Sequence, residues 1–310
     1  MGSPITKGDF QRLLDLRLTK VSEQEASKPE LKGMIDQLFT VKSSDSAFEE
    51  SFYTTGVGDI PEFNGKITYL PVYPGWHKKY EHKTFSAGIQ AERELLDDKK
   101  FGVLDNRAKM LMRSALRTRE KWAARVFTNG GSTAFDFQTS EEGVALFSSA
   151  HLTRATDVST SVGFDNTSTS ALSKTAAAAA RIKMKKFRTD IGERFEMGDD
   201  FALLVPDSLV DTALEITGSN MDPDSANNKI NPSYQRYKVI PYSRLEDSDT
   251  NDWYMISLSG MKDNLMFYDR IKPEAKSTVD FDTYSVLQAI YFRFSCGWDD
   301  WRFGVKSTVS

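Results

Sequence analysis

One segment of the sequence has a regular helical period, and it sets the scale of the fold. Between positions 105 and 127, apolar residues recur at helical spacing and fill one side of a helical wheel. They are Ala108, Leu111, Met112, Ala115, Leu116, Trp122, Ala123 and Val126. Gly130 and Gly131 follow, and glycine commonly ends a helix. The pattern predicts a helix over 105–127, a rod of roughly 35 Å against which the rest of the chain must pack.

The other side of this predicted helix is basic. Its cations are Arg107, Lys109, Arg113, Arg117, Lys121 and Arg125, in a chain whose formal net charge is -4. Two interpretations stay open: a solvated face that pairs with carboxylates of this chain or of a neighbouring copy, or sequence-independent contact with phosphate. Arg119 falls on the apolar side of the wheel, where an arginine is costly unless it is paired. We therefore expect Arg119 to meet a carboxylate across a packing surface.

The segment 51–85 combines aromatic residues with Gly and Pro turn signals. Asn64-Gly65 predicts a hairpin turn, because both residues accept a positive φ at low cost. Its flanks, 60–63 and 66–72, are expected as strands. Little in the neighbouring sequence can bury both faces of such a hairpin. Its apolar side chains therefore need another surface, either the rest of the chain or another copy of it.

The remaining segments predict a mixed architecture. Residues 1–45 indicate an extended arm with a short helix or two, and 128–172 indicate a long irregular region. Helices are expected over 172–187 and 208–216. Strands are expected over 201–205, 237–242, 253–258, 265–268, 285–296 and 301–305. Helix-rich and strand-rich stretches are partly segregated, so the predicted class is α+β.

The sequence offers little for catalysis. It has one cysteine, Cys296, which excludes an internal disulfide and a Cys-rich zinc site, and its apolar setting predicts an inert buried thiol. No phosphate-binding loop, zinc-protease motif or nucleophile elbow occurs. We interpret His77 and His82 as surface or interface residues and His151 as a structural or interface residue. The expectation is no catalytic residue, no metal and no cofactor, and no apolar run is long enough for a membrane-spanning helix.

Three segments, in this order, resemble a known family. The stretch 88–130 resembles the approach to and body of a long spine helix, and 146–152 resembles a Phe-x-x-x-His segment. The stretch 190–216 combines a charged turn at Gly192, an apolar strand ending at Pro206, and a short helix containing Ala213. Together, over about 45–306, they resemble the major capsid proteins of tailed bacteriophages with the Hong Kong 97-type fold. The resemblance is greatest to the Mu-like major head subunits.

This resemblance implies a division of the chain. The N-terminal arm would be 1–50 and the extended β-loop 51–85. The peripheral domain, with the spine helix, would be 86–190 plus the returning strands of 276–310, and the axial domain 191–275. In the family, the extended loop lies across a neighbouring subunit. The residues that we expect at contacts between subunits are Tyr73, Trp76, His77, Tyr80 and Arg119.

The function implied by the resemblance is structural rather than enzymatic. Copies would form hexamers and pentamers of an icosahedral shell around double-stranded DNA, assembled in the cytoplasm of a host bacterium and found in the virion. Implied partners are other copies, portal and scaffold proteins, decoration proteins, and DNA through nonspecific contact with the basic helix face. Three alternatives stay open: an encapsulin-like compartment with an enzyme cargo, a soluble hydrolase using His151 with a carboxylate, and a DNA-binding module.

Overall fold

A computed structural model describes residues 7–28, 33–52, 56–70, 72–92, 98, 101–221, 230–280, 282–283 and 285–309, with side chains from position 15 onward. The predicted α+β class is confirmed. The helices in this part of the chain are α1 (Lys7–Ala26), α2 (Ile35–Leu38), α3 (Phe101–Thr128), α4 (Lys174–Met184), α5 (Val210–Gly218) and α6 (Leu258–Asn264). Helix α3 is the predicted 105–127 helix, begun one turn earlier.

The strands form three sheets. The first, in the order β1-β10-β11-β4, contains β1 (Thr40–Ser43), β4 (Lys83–Ala91), β10 (Leu265–Val279) and β11 (Val286–Trp298). The second, β6-β12-β9-β7-β8, contains β6 (Thr167–Ser168), β7 (Phe201–Val205), β8 (Lys238–Pro241), β9 (Trp253–Ser257) and β12 (Gly304–Ser307). The third, β2-β3-β5, contains β2 (Phe48–Ser51), β3 (Lys78–Glu81) and β5 (Gln138–Ser140).

The last strands of the chain are divided between the two larger sheets. Strand β12 pairs antiparallel with β9 and parallel with β6, in the sheet that also contains β7. It therefore lies in a different sheet from β11, and the assignment of 276–310 to the peripheral domain stays a prediction. One apolar core includes residues of both larger sheets and of α3, so the two regions are packed as a continuous body.

The apolar side of α3 is buried as the period predicts. Ala108, Leu111, Met112, Ala115, Ala123 and Val126 are buried, and Leu116 and Trp122 are partly buried. At the C-terminal end, the Phe127 ring meets Tyr254 of β9 edge-on at 5.6 Å, and the Tyr254 hydroxyl donates to the Phe127 carbonyl at 3.2 Å. The helix thereby fixes the position of the five-stranded sheet.

The N-terminal arm differs from the expectation of a short helix or two. Residues 7–26 form one helix of 20 residues, α1, which packs against α3 and β10. Leu18 is buried against Leu104 and Ala108, and the Arg17 guanidinium pairs with Asp105 at 2.8 Å. Contacts with residues far away in the sequence stabilise this helix, so its length is not evident from its local pattern.

The segment 56–72 departs furthest from the sequence-based prediction. The chain bends at 64–66 and Gly65 has a positive φ of 96°, as the Asn-Gly turn predicts. The flanking strands do not form in the described part of this segment. A strand needs a hydrogen-bonded neighbour, and no described strand of the subunit pairs with this segment. We call 56–72 the ribbon.

The carboxylate partner predicted for Arg119 is present, and it belongs to the same subunit. An Arg119 Nη2 donates to Asp269 Oδ1 at 2.5 Å, with the two side chains 14% and 5% exposed. The guanidinium also lies over the Phe267 ring, 5.0 Å from its centroid. The expectation that Arg119 contacts a neighbouring subunit is therefore replaced by an internal bridge between α3 and β10.

Reversing this charge should destabilise the subunit. We expect Arg119→Glu to lower the free energy of unfolding by about 3–5 kcal/mol, because it leaves Asp269 buried beside a like charge. Urea unfolding followed by circular dichroism measures this change. Arg117→Glu, on the exposed side of the same helix, is the matched control and should change the value by about 0.5 kcal/mol or less. Equal effects of the two substitutions would contradict the burial of the pair.

Candidate interaction surfaces

The ribbon presents large apolar side chains to solvent. Ile60 is 91% exposed and Tyr69 is 89% exposed, and Phe63 and Ile67 are 72% and 68% exposed. Single exposed apolar residues are common on protein surfaces, but a continuous set of them marks an interaction site. Two carboxylates, Asp59 and Glu62, are also exposed on the ribbon. The ribbon is therefore a candidate contact surface made of apolar residues with a few charges.

The base of the ribbon is held within the subunit by the loop 141–154. The Trp76 indole donates to the Leu152 carbonyl at 3.2 Å, and the Arg154 guanidinium lies over the Trp76 ring at 4.7 Å. The His77 backbone N–H donates to Glu141 at 3.0 Å, and Arg154 also pairs with Glu141. These contacts fix the point from which the ribbon leaves the body.

This arrangement changes the contact residues predicted from the sequence. Tyr80 is completely buried, and its hydroxyl donates to Asp299 at 2.6 Å, so it has no surface to offer a neighbour. Trp76, Tyr73 and His77 are partly buried, and the His77 ring stacks on Phe52 at 4.4 Å. The most exposed apolar residues lie earlier, at 60–69. The candidate contact surface is therefore the tip of the segment rather than its base.

Much of the predicted basic helix face is engaged within the subunit. Arg113 pairs at 2.6 Å with Glu25 of α1, and Arg125 binds Asp136 through two hydrogen bonds of 2.6 and 2.8 Å. Arg107 donates to the Gln90 carbonyl at 3.0 Å. Lys109, Arg117 and Lys121 have no carboxylate within ion-pair distance among the described residues. Internal pairing therefore accounts for part of the face and leaves these three cations available.

A cluster of buried charges joins the loop 141–154 to the C-terminal strands, and no sequence motif marks it. Arg302 is 3% exposed and pairs with Asp190 and Asp300, each at 2.9 Å. Burial would raise the pKa of Asp300, but Arg302 outweighs it, and the pKa lies below its ordinary value. Burial lowers the pKa of Lys78, which lies near Asp300 and Glu142. The members of this cluster are far apart in the sequence, so only the fold brings them together.

His151 belongs to the same region and is confirmed as a structural residue. Its ring stacks on Trp301 at 4.1 Å with the planes 4° apart. Nδ1 lies 3.0 Å from Glu142 and Nε2 lies 3.2 Å from the Asn166 side-chain oxygen. With both nitrogens engaged and 1% of the residue exposed, the ring meets no described hydroxyl or thiol nucleophile. The hydrolase alternative has no site here.

Cys296 is buried as predicted, and burial raises the pKa of its thiol. The thiol donates to the Trp122 carbonyl at 3.7 Å. The cavity beside it has a volume of about 20 Å³, room for a single water molecule. Among the described residues, no group of three His, Cys, Asp or Glu side chains could hold a metal ion. Likewise, no helix in the described ranges is both long and apolar enough to cross a bilayer.

His82 connects three segments through a chain of hydrogen bonds. Its Nε2 is 3.0 Å from the Ser44 hydroxyl and its Nδ1 is 2.9 Å from the Ser295 hydroxyl. Ser44 in turn donates to Glu49 at 2.5 Å. Burial lowers the pKa of His82, Glu49 opposes this shift, and Arg293 and Arg270 add to it. His82 thus joins the arm to β11 as an internal residue, contrary to the expected surface or interface position.

The lowered pKa predicts a pH dependence of stability. Below the ordinary histidine pKa of about 6.5, the unfolded chain binds a proton that folded His82 resists. The free energy of unfolding should therefore fall as pH decreases from about 6.5 toward the folded pKa, by up to about 1.4 kcal/mol per pH unit. Urea midpoints between about pH 7.5 and 5.5 should fall less steeply in His82→Gln than in the wild type. Equal slopes would show that His82 does not resist protonation.

Comparison with known proteins gives these surfaces a context. A family model described as phage capsid protein matches residues 78–307, which is most of the chain. No curated protein sequence matches the chain at a significant level.

Several solved structures have a similar fold at low sequence identity. Mycobacterium phage Patience matches with a TM-score of 0.58 and 8% identity over 99% of this chain and 90% of that one. The bacteriophage JBD30 capsid matches with a TM-score of 0.54 and 15% identity over 71% and 94%. The capsid of a native GTA particle matches with a TM-score of 0.53 and 11% identity over 88% and 89%. The similarity extends over nearly the whole architecture.

Proposed function

The chain belongs to the phage capsid protein family and is a major capsid protein, and we propose that its copies assemble through the exposed ribbon. The fold is that of Hong Kong 97-type capsid proteins, as the sequence resemblance implied. Membership of the Mu-like group remains a prediction. The function of such a protein is structural: it buries surface between its copies and catalyses no reaction.

The exposure of the ribbon is the observation that supports this mode of assembly. Its four most exposed apolar residues are Ile60, Phe63, Ile67 and Tyr69, each at least 68% exposed. Fully burying one large apolar side chain contributes about 1.5–3 kcal/mol. One ribbon therefore provides a modest contact. Because each copy both gives and receives such contacts in a closed shell, their combined effect can be strong.

We further propose the larger assembly that the family resemblance implies. Copies would form hexamers and pentamers of an icosahedral shell, built in the host bacterial cytoplasm around double-stranded DNA. The ribbon would lie across a neighbouring copy, with the region around α3 and β10–β11 at the periphery of each ring of subunits and the region around β7 and α5 at its axis. Scaffold, portal and decoration proteins would be further partners.

Substitutions at the tip of the ribbon separate assembly from folding. We expect the double variant Phe63→Ser and Tyr69→Ser to lose most of its closed shells, because two apolar anchors between copies are removed. Its thermal unfolding midpoint as an unassembled chain should match the wild type, since both side chains are exposed in the subunit. Negative-stain electron microscopy counts the shells, and circular dichroism measures the unfolding.

The matched control is Val162→Ser with Ile182→Ser, which removes two apolar residues that are 59% and 46% exposed away from the ribbon. This control should form shells normally. Normal shell yield from the Phe63 and Tyr69 variant would refute the ribbon contact. Nucleic acid copurifying with wild-type shells would support a DNA-containing head, whereas an enclosed enzyme would support the encapsulin-like alternative.

A further inference from the structure

A groove whose lining residues are mostly polar or charged runs beside the C-terminal half of α3. It lies between this helix and the turn 243–248, and we call it the basic groove. Its polar lining consists of Lys121, Arg125, Thr128, Asn129, Arg244, Asp247 and Ser248. Ala124 completes the lining. Lys121 and Arg125 belong to the predicted basic face, but Arg244 is more than 100 positions away, and only the fold brings it here.

The basic groove has more cations than nearby carboxylates can neutralise. Arg125 is bound to Asp136, and Arg244 makes a single 3.3 Å contact with Asp247, in which the side chains are 34% and 59% exposed. Exposed pairs of this kind contribute little and exchange partners readily. Lys121 is exposed and, among the described residues, has no carboxylate within ion-pair distance.

The row of cations continues along α3 beyond the groove. Arg117 lies one turn before Lys121 and lines an adjoining groove that also contains Arg244. Glu120, a carboxylate of that adjoining groove, is already engaged, because it accepts a hydrogen bond from the Ile35 N–H at 3.2 Å. Arg117, Lys121 and Arg125 are four residues apart, so they follow one another at about 6 Å along the helix.

We propose that the basic groove, together with Arg117, binds the phosphate backbone of double-stranded DNA without sequence preference. This proposal rests on the proposed function, in which the shell encloses DNA. Duplex DNA presents one negative charge per about 1.7 Å of its axis, so a straight row of cations meets phosphates in any register. The guanidinium groups of Arg117 and Arg244 suit phosphate oxygens, which accept paired N–H bonds.

The lining favours phosphate over an acidic peptide from a second copy. A protein contact buries an apolar centre and is depleted in lysine, but Ala124 is the apolar member of this lining. Thr128 and Ser248 instead offer hydroxyl donors beside the cations, and Lys, Arg, Ser and Thr are side chains that contact DNA phosphates. The polar residues of the groove are thus of the types that contact DNA phosphates.

The test compares two full-length variants that remove the same charge. The first carries Arg117→Gln, Lys121→Gln and Arg244→Gln, leaving Arg113 and Arg125 to their internal partners. The control carries Lys42→Gln, Lys272→Gln and Lys276→Gln, all exposed on β1 and β10, two strands that contribute no residue to the lining of either groove. Binding of unassembled chain to a labelled duplex of about 30 base pairs is measured by fluorescence anisotropy over a range of salt concentrations. Shell formation is scored separately by electron microscopy.

The groove variant should bind less tightly, and its plot of log K against log salt should be shallower by about 2–3, since each phosphate contact contributes about 0.9 to the slope. The control variant should keep the wild-type slope. A groove variant with the wild-type slope overturns the proposal, and if it also forms no shells, the groove is a contact between copies. Wild-type chain that does not bind the duplex at low salt overturns it as well.

Folding of the variants is checked by circular dichroism. If the triple variant is unfolded, Lys121→Gln alone should make the plot of log K against log salt shallower by about 0.9. The charge-preserving variant, which carries Arg117→Lys, Lys121→Arg and Arg244→Lys, should keep the wild-type slope. If the groove variant loses DNA binding but still forms shells, this supports DNA binding by the groove and does not affect the proposal of assembly through the ribbon. Loss of shells in the ribbon variant, with an unchanged salt slope, would separate the two surfaces.

Discussion

The packing of one helix against two sheets determines the architecture of this capsid subunit. The apolar side of α3 meets the four-stranded sheet in the C-terminal half of the helix, where the Cys296 thiol of β11 contacts the Trp122 carbonyl. At its C-terminal end it meets the five-stranded sheet through Phe127 and Tyr254. Because both sheets share this helix, shifting it would disturb both. The Arg119–Asp269 pair lies within the same contact and ties the helix to β10.

The charged residues of α3 have two different roles. Toward its N-terminal half, Asp105 and Arg113 pair with Arg17 and Glu25 of α1, so charge there fastens the arm to the body. Toward its C-terminal half, Lys121 is exposed, and Arg244 joins it from a distant turn. A helical wheel of α3 shows one uniform basic face. The fold divides that face into a part that is paired internally and a part that we propose contacts phosphate.

The elements that can be predicted from sequence are those whose signal is local. Helix α3 has a long apolar period, with Arg119 as the one charged residue on its apolar side, and strand β7 is a run of five apolar residues, so both are placed correctly. Helix α1 is underestimated because its position depends on long-range contacts, such as the Asp15 carboxylate accepting from the Ser277 N–H at 2.7 Å. Aromatic residues beside turns, such as Tyr80, look alike in sequence whether they pack inward or outward. Burial, which distinguishes them, is a property of the whole fold.

The ribbon explains why subunit stability and assembly can respond to different residues. The main core is closed without the ribbon, since the buried cluster around Phe127 and Tyr254 contains no described residue of 56–72. A change in that core alters the free energy of the single chain and, through it, every assembled state. Under the proposed assembly, a change at Phe63 or Tyr69 removes area that a second copy would cover, so it would act on association rather than on folding. A protein that must fold before it assembles benefits when different residues control folding and association, because its copies remain folded while the shell grows.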